Sequence, residues 1–372
     1  MKKKNPKRHH LVPRFMLMEF VSAEDNRTLW ALNTAKLNKI AESGMHTCNL
    51  LESGLVYRTS VNNASVISNF YSNPNLDDSV KEEKRISKIE SDAAPIYKEV
   101  LQTSKMPKRE KKKILLAFIA NLYNRTQWSR SIAKALSYDI AHNAGNPKNE
   151  FHKLMCKRIF GETLNIEGLL IWSQLVEYAN SEYCWSELNS VEEGRYLKNF
   201  MQLHWRIEIA PEGSNFICSD APVFCWSKLD SYKFVFDTNG FILCPLSKNL
   251  LLIGYKEITN FPCLGETQFE KEFMTGYVNA LTFSYADKHI FGNEPIPRCF
   301  YKGTIEYLGL AKFFTENFAE VEYVKTIGGV KTIPNRYPTM DTMLKREVKI
   351  DRPTPVIPNE IMKMILQTQA LE

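Results

Sequence analysis

The chain has 372 residues, of which 44% are hydrophobic and 24% are charged, and its net charge is +6. This composition is typical of globular proteins and excludes an intrinsically disordered chain, while the length allows one large domain with appendages or two lobes. The longest apolar stretch, Ile114 to Ala120, is too short to cross a bilayer. Eight cysteines are scattered without a Cys-x-x-Cys pair, which predicts reduced thiols and no zinc ribbon. We therefore expect a soluble, cytoplasmic protein without a membrane partner.

The chain opens on the run KRHHLVPRFMLMEF, in which two of only seven histidines, His9 and His10, are adjacent. Pro13 suits the first turn of a short helix, and Val12 before it is predicted to be extended. Adjacent residues of an extended segment point to opposite sides, so one histidine is expected to face a site while the other supports it or packs elsewhere. Because imidazole binds metals and transfers protons near neutral pH, this pair is the first candidate for chemistry.

Positive charge is concentrated in two places along the chain. Six cations precede the first acidic residue, Glu19, and residues 105–113 carry six cations against one acid, Glu110. Either stretch is able to meet the phosphates of nucleic acid, and the alternative is a solvated tail and a solvated helix face. The residues predicted to contact nucleic acid are Lys7, Arg8, Arg14 and Arg125.

The first two hundred residues are predicted to be mainly helical after a short start that contains β-structure. A strand is expected over Thr28 to Leu32, and short β-structure around residues 64–71. Helical spacing then dominates from Ser79 to Phe200, with one run over Arg125 to Ala141. Pro95 falls inside this pattern and is expected to kink or interrupt a helix.

Beyond His204 the periodicity changes, because aromatic and branched runs separated by turn residues predict strands. A hairpin is expected at Asn239-Gly240, and a long helix from Gln268 to His289. The predicted fold class is α+β, with a helical lobe packed on a mainly antiparallel β-sheet and an N-terminal motif segment. The four predicted segments are 1–75 with the histidine motif and short β-structure, 76–203 as the helical lobe, 204–295 as the sheet with a long helix, and 296–372 as a C-terminal extension.

Several blocks of the sequence follow one another in a characteristic order. They are His-His-x-Val-Pro at 9–13, KIESDAAPIY around Glu90, YNRTQW around Arg125, Ser-Asp-Ala-Pro-Val at 219–223, Pro-Leu-Ser at 245–247 and Val-Asn at 278–279. In this order the blocks resemble a large, mainly bacterial family, domain of unknown function family four-two-three-eight. The resemblance covers most of the chain, up to about Phe300. It implies a shared architecture and a shared site, and it transfers no reaction.

The candidate catalytic residues are His9, His10, Asp220 and Glu90. Asp220 is predicted at a strand end, where a rigid sheet presents polar groups, although an Asp before a turn proline also caps its own turn. Glu90 and Arg125 are candidates for a carboxylate ligand and a phosphate contact, or for an internal ion pair. If one histidine converges with both carboxylates, the group suits a divalent metal that activates water. The predicted metal ligands are therefore His10, Asp220 and Glu90.

The leading functional hypothesis is metal-assisted phosphodiester hydrolysis of nucleic acid, as in a defence or toxin effector. It expects a divalent metal ion as the cofactor and nucleic acid as the partner, and it names no protein partner. The alternative is a non-catalytic module that binds nucleic acid or protein, without a cofactor and with structural His and Asp motifs. A weaker rival location for a nuclease site is Glu347-Val348-Lys349, with Asp341 upstream.

Overall fold

The computed structural model describes residues 8–22, 24–36, 53–68, 70, 81–126, 194, 196–226, 241–256 and 268–295. These residues form an α+β fold, as the sequence predicted. The helices are α1 (Arg14–Leu17), α2 (Lys81–Thr103), α3 (Arg109–Asn124) and α4 (Gln268–Tyr285), with a 3-10 turn at Met18–Phe20. The strands are β1 (Arg8–His10), β2 (Thr28–Asn33), β3 (Val56–Ser60), β4 (Val66–Ser68), β5 (His204–Ile209), β6 (Cys218–Ser219), β7 (Phe224–Trp226), β8 (Phe241–Ser247), β9 (Leu250–Tyr255) and β10 (His289–Gly292). Within the described ranges, no helix is both long enough and apolar enough to span a bilayer.

The described strands pair into three antiparallel sheets. β1 and β4 form a two-stranded sheet that carries the histidine motif, with His10 opposite Val66. A second sheet has the strand order β3-β2-β10-β6, and a third has the order β5-β9-β8-β7. In the third sheet Trp205 lies opposite Gly254, where an added Cβ would approach the indole ring to 2.7 Å, so the close approach requires glycine.

The main hydrophobic core lies where α2 and α3 meet the sheets. α3 buries Leu115 and Phe118 completely, and every residue from Leu115 to Asn124 except Ala117 is buried, so this half of the helix is enclosed on all sides. All seven residues of β8 are buried, which is why this strand is a nearly continuous apolar run. The same core contains Phe20 from the N-terminal motif and Phe291 from β10. One core therefore joins residues of the first three predicted segments.

The structure decides two helix predictions in part. Of the kink or interruption expected at Pro95, the interruption is absent, since α2 continues through this residue and buried Tyr97 and Val100 hold the following turn against the core. α4 ends at Tyr285 rather than at His289, because the Asp220 carboxylate binds backbone N–H groups of residues 287–289 and redirects the chain into β10. The strand over Thr28 to Leu32 is confirmed as β2.

Three further predictions fall on parts of the chain that the structure does not describe. They are the hairpin at Asn239-Gly240, the helical run beyond residue 126 and the C-terminal extension.

Candidate functional site

The two histidines of the opening motif occupy different environments on β1. His9 is 3% exposed, and its Nε2 lies 3.7 Å from Glu83 Oε2 on α2. His10 is half-buried on the alternate side of the strand. β1 is held by antiparallel pairing with β4, and Leu11 N extends this pairing by donating to Ser65 O at 2.8 Å. Alternation along the strand thus separates a buried histidine from one with access to water, as the sequence predicted.

The hydrogen bonding of His10 fixes which ring nitrogen carries the proton. His10 Nδ1 lies 3.2 Å from Ala64 O, and a carbonyl oxygen can only accept, so Nδ1–H is the donor. In the neutral ring Nε2 therefore holds the lone pair. Burial lowers the pKa of His10, and the positive charges of Arg14 and Arg8 lower it further, against opposing effects of the Ala64 hydrogen bond and Glu90. The neutral tautomer with a basic Nε2 is the form present at pH 7.

Glu90 and Arg125 form an ion pair beside this strand. Arg125 follows the last residue of α3 and is 1% exposed, and its Nη1 lies 2.5 Å from Glu90 Oε1 on α2. Its Nε donates to Leu11 O at 2.6 Å, directly after His10 in the chain. Asn121 Oδ1 accepts a further bond from Nη1 at 3.3 Å. The buried guanidinium thus connects the histidine motif to both helices. It also holds Glu90 close enough to His10 for the carboxylate charge to raise the pKa of the imidazole.

We call the group formed by His10, Glu90, Arg125, Arg8 and Arg14 the His10 site. Arg8 and Arg14 are exposed and act electrostatically on His10 from either side along the chain. The site contains three arginines against one carboxylate. This excess of positive charge favours an anion such as a phosphate group as its ligand.

Asp220 is not among the residues of the His10 site. It binds the backbone of the turn that precedes β10. Its Oδ1 accepts from Asp287 N at 2.7 Å, and its Oδ2 accepts from Lys288 N at 2.8 Å and His289 N at 3.0 Å. The residue is 4% exposed. We call this arrangement the Asp220 turn. It connects the end of β6 to the start of β10, and it corresponds to the turn-capping interpretation that the sequence left open.

Replacing Asp220 with asparagine is expected to lower the free energy of unfolding by about 1–3 kcal/mol. The amide keeps one acceptor oxygen, but its NH₂ group faces backbone donors and leaves at least one part-buried N–H without its acceptor. Urea-induced unfolding monitored by circular dichroism measures the change. The exposed Asp92→Asn serves as the control, with an expected change within about 0.5 kcal/mol. A catalytic role would instead appear as lost hydrolysis at unchanged stability.

His289 and Asn33 join the Asp220 turn and were missed in the sequence. Asn33 Oδ1 accepts from Lys36 N at 2.9 Å, so its Nδ2 is the group that faces His289 Nε2 at 3.3 Å. His289 Nε2 then accepts, which places the ring proton on Nδ1, 3.8 Å from Asp220 Oδ2. The Ala-Asp-Lys break before His289 was an available signal that the helix stops earlier. No local sequence pattern identified Asn33, because its partner His289 lies 256 residues away in the chain.

The structure does not bring His10, Glu90 and Asp220 together as three ligands. Among the described residues, no group of three or more His, Cys, Asp and Glu side chains is placed to hold a metal ion. Arg125 was predicted either to contact nucleic acid or to form an internal ion pair with Glu90, and it lies in that ion pair. Lys7 and the rival location at 347–349 lie outside the described residues.

Together, the fold and the tied histidine strand define an α+β protein with an N-terminal motif docked on a helical pair. The chain belongs to the family described as "Protein of unknown function (DUF4238)", whose model matches residues 8–295. The match begins at the first residue of β1 and includes both the His10 site and the Asp220 turn. Comparison with curated proteins and with solved structures found no significant match.

Proposed function

We propose that the His10 site hydrolyses phosphodiester bonds of nucleic acid. The observation that carries this proposal is the state of His10, whose Nδ1 proton is held by Ala64 O while burial lowers its pKa. A neutral imidazole with its lone pair on Nε2 is the form required of a general base. The excess of arginines around it suits a phosphate substrate and the negative charge that develops during its hydrolysis.

In the proposed reaction His10 Nε2 accepts a proton from a water molecule whose oxygen attacks phosphorus. The bond from phosphorus to the leaving sugar oxygen breaks, and that oxygen takes up a proton from solvent. Arg8 and Arg14, which are exposed beside His10, balance the charge of the phosphate. Arg125 positions Glu90 and the backbone of Leu11 without contacting the substrate.

Metal assistance remains part of the proposal. His10 Nε2 and the Glu90 carboxylate are the described groups that would hold a divalent ion, with water and phosphate oxygens as further ligands. Because Nε2 has one lone pair, it would then hold the ion instead of acting as the base, and the ion would activate the water. Two protein ligands make a weak site, so the ion would bind together with the substrate.

The direct test is incubation of the purified full chain with labelled RNA and DNA in EDTA and in Mg²⁺ or Mn²⁺. Cleavage is expected in at least one metal, and it must co-elute with the protein on size exclusion. Stronger cleavage in Mg²⁺ or Mn²⁺ than in EDTA supports metal assistance, whereas equal rates leave His10 and the arginines as the machinery. Intact substrates under every condition would contradict the proposal.

The pH dependence of hydrolysis follows from the lowered pKa of His10. A general base must be deprotonated, so the rate is expected to stay constant through pH 7 and to fall only below about pH 6.5, the ordinary histidine value. Arg14→Gln removes a charge that lowers this pKa, and the acid limb of the rate profile should move to higher pH. Initial rates between pH 4.5 and pH 8 measure both effects. An acid limb above pH 7 in the unmodified protein would rule out this role for His10.

The second candidate function is binding of nucleic acid without cleavage. It is favoured by the internal use of Arg125 and by the three backbone donors on Asp220, which are structural roles for two motif residues. The incubation test separates the two functions, because a binding module retards labelled nucleic acid in a gel and leaves its length unchanged.

A further inference from the structure

A basic surface lies far from His10, at the other end of α3. Its members are cationic residues of the α2–α3 connection and of the first turns of α3, namely Lys105, Lys108, Arg109, Lys112 and Lys113. All are exposed except Lys112, which is half-buried. The neighbouring Lys111 is excluded because it pairs with Glu99 on α2 at 2.5 Å.

The position of this basic surface is unfavourable for the helix itself. Cations at the start of a helix lie at the positive end of its dipole and destabilise it. Lys108 at the N-cap position makes no side-chain capping bond, and Arg109 has a positive φ of 49°. Glu110 is the one acid in the first turn, and the cations around it outnumber it. Helix formation therefore does not explain these residues, whereas binding of a polyanion would offset their mutual repulsion.

The partner that fits this surface is the sugar-phosphate backbone of a nucleic-acid duplex. Its members are cations on aliphatic chains, which bind phosphates without reading a base sequence. Residues 105–113 contain no aromatic side chain, and binding of single strands relies on base stacking against aromatic rings. Backbone contact with a duplex is the interaction that this composition supports.

α3 sets the distance between this surface and the His10 site. Arg109 and Arg125 are separated by 16 residue steps, which corresponds to about 24 Å along a helix. Glu99 pairs with Lys111 and Glu90 pairs with Arg125, so antiparallel α2 is joined to α3 by an ion pair toward each end. The span equals about seven base pairs at roughly 3.4 Å per pair.

We infer that the basic surface anchors the backbone of a duplex substrate about seven base pairs from the phosphate bound at the His10 site. This inference rests on the proposed hydrolysis, because the His10 site defines the other end of the span. It predicts that affinity depends on the length of the duplex, since short duplexes reach only one of the two positions.

The test measures binding of fluorescent duplexes of 6, 10, 14 and 20 base pairs to the full chain by anisotropy at several salt concentrations. Affinity is expected to rise more than tenfold between 6 and 10 base pairs. The triple variant Lys105→Gln, Lys108→Gln, Lys113→Gln should bind every length as weakly as the shortest. Its plot of log affinity against log salt should lose about 2–3 units of slope, close to 0.9 per phosphate contact.

The matched control neutralises three exposed lysines elsewhere, Lys198→Gln, Lys256→Gln and Lys271→Gln, and is expected to keep the length dependence. Three results would overturn the inference. They are an equal loss of affinity in both triple variants, a length dependence that survives in the first triple variant, and no duplex binding by the unmodified chain. Measurements with the cleavage-deficient His10→Asn chain isolate binding from hydrolysis. Absence of cleavage with the length dependence intact would count against the hydrolysis alone.

Discussion

Replacement of His10 by asparagine is expected to reduce phosphodiester hydrolysis roughly 100- to 10,000-fold, the usual contribution of a general base. The variant removes the Nε2 lone pair that accepts the proton of water. The asparagine amide is able to donate to Ala64 O in place of Nδ1, so the pairing of β1 with β4 is retained. Initial rates on labelled nucleic acid measure the loss, and thermal unfolding shows whether the fold is intact.

The control for this substitution is His204→Asn, which changes an exposed histidine on β5 and is expected to leave the rate unchanged. His10→Gln supplies a second variant, since its longer amide does not reproduce the base and should be as inactive as the asparagine. Cleavage at the unmodified rate by a folded His10→Asn chain would show that His10 is not the base.

Replacement of Arg125 by methionine is expected to lower the free energy of unfolding by about 3 kcal/mol. Methionine fills most of the volume but leaves Leu11 O without its donor and Glu90 without its cation. The value lies at the lower end for a broken buried ion pair because the Glu90 side chain is 27% exposed and retains some water. The free energy of unfolding of Arg125→Lys should lie between those of Arg125→Met and the unmodified protein, since one ammonium group does not reproduce the planar guanidinium. Urea-induced unfolding of the three proteins measures the series.

The control for Arg125 is Lys111→Met, which breaks the exposed pair with Glu99 and is expected to cost no more than about 1 kcal/mol. A similar loss in both variants would mean that burial of Arg125 adds nothing to the stability of the motif. The two substitutions also differ in kind. His10→Asn should remove activity from a stable protein, whereas Arg125→Met should lower the stability of the fold.

Local sequence pattern was sufficient to predict an element whose limits depend only on its own residues. β2 was predicted within one residue because Thr28 to Leu32 is a compact apolar run between polar segments. The end of α4 was predicted four residues late, because the signal that ends it comes from Asp220, 67 to 69 residues earlier in the chain. Helix propensity depends on the residues of the helix itself, so it does not predict an end that is set by a carboxylate from another part of the chain.

The sequence named individual residues of the candidate site, and the structure shows which partners each of them has. His10 and Glu90 were selected from the sequence, and the structure brings them within charge range. Asp220 was selected with them, and the structure uses it to organise the turn before β10. For Arg125 the sequence left open a phosphate contact or an internal ion pair, and the structure has the ion pair. Residue type identifies a polar side chain in the sequence, whereas its hydrogen-bond or ion-pair partner is known only from the structure.

The sequence by itself determined the family, the α+β class and the separation of His9 from His10, because ordered motifs, hydrophobic periodicity and strand alternation are local properties. The tertiary structure alone decided which nitrogen of His10 carries the proton and which acceptors surround Arg125. These features depend on Ala64 and Leu11, which lie 54 residues from His10 and 114 residues from Arg125. The energy of a buried polar group is set by such distant partners, and they are known only once the chain has packed.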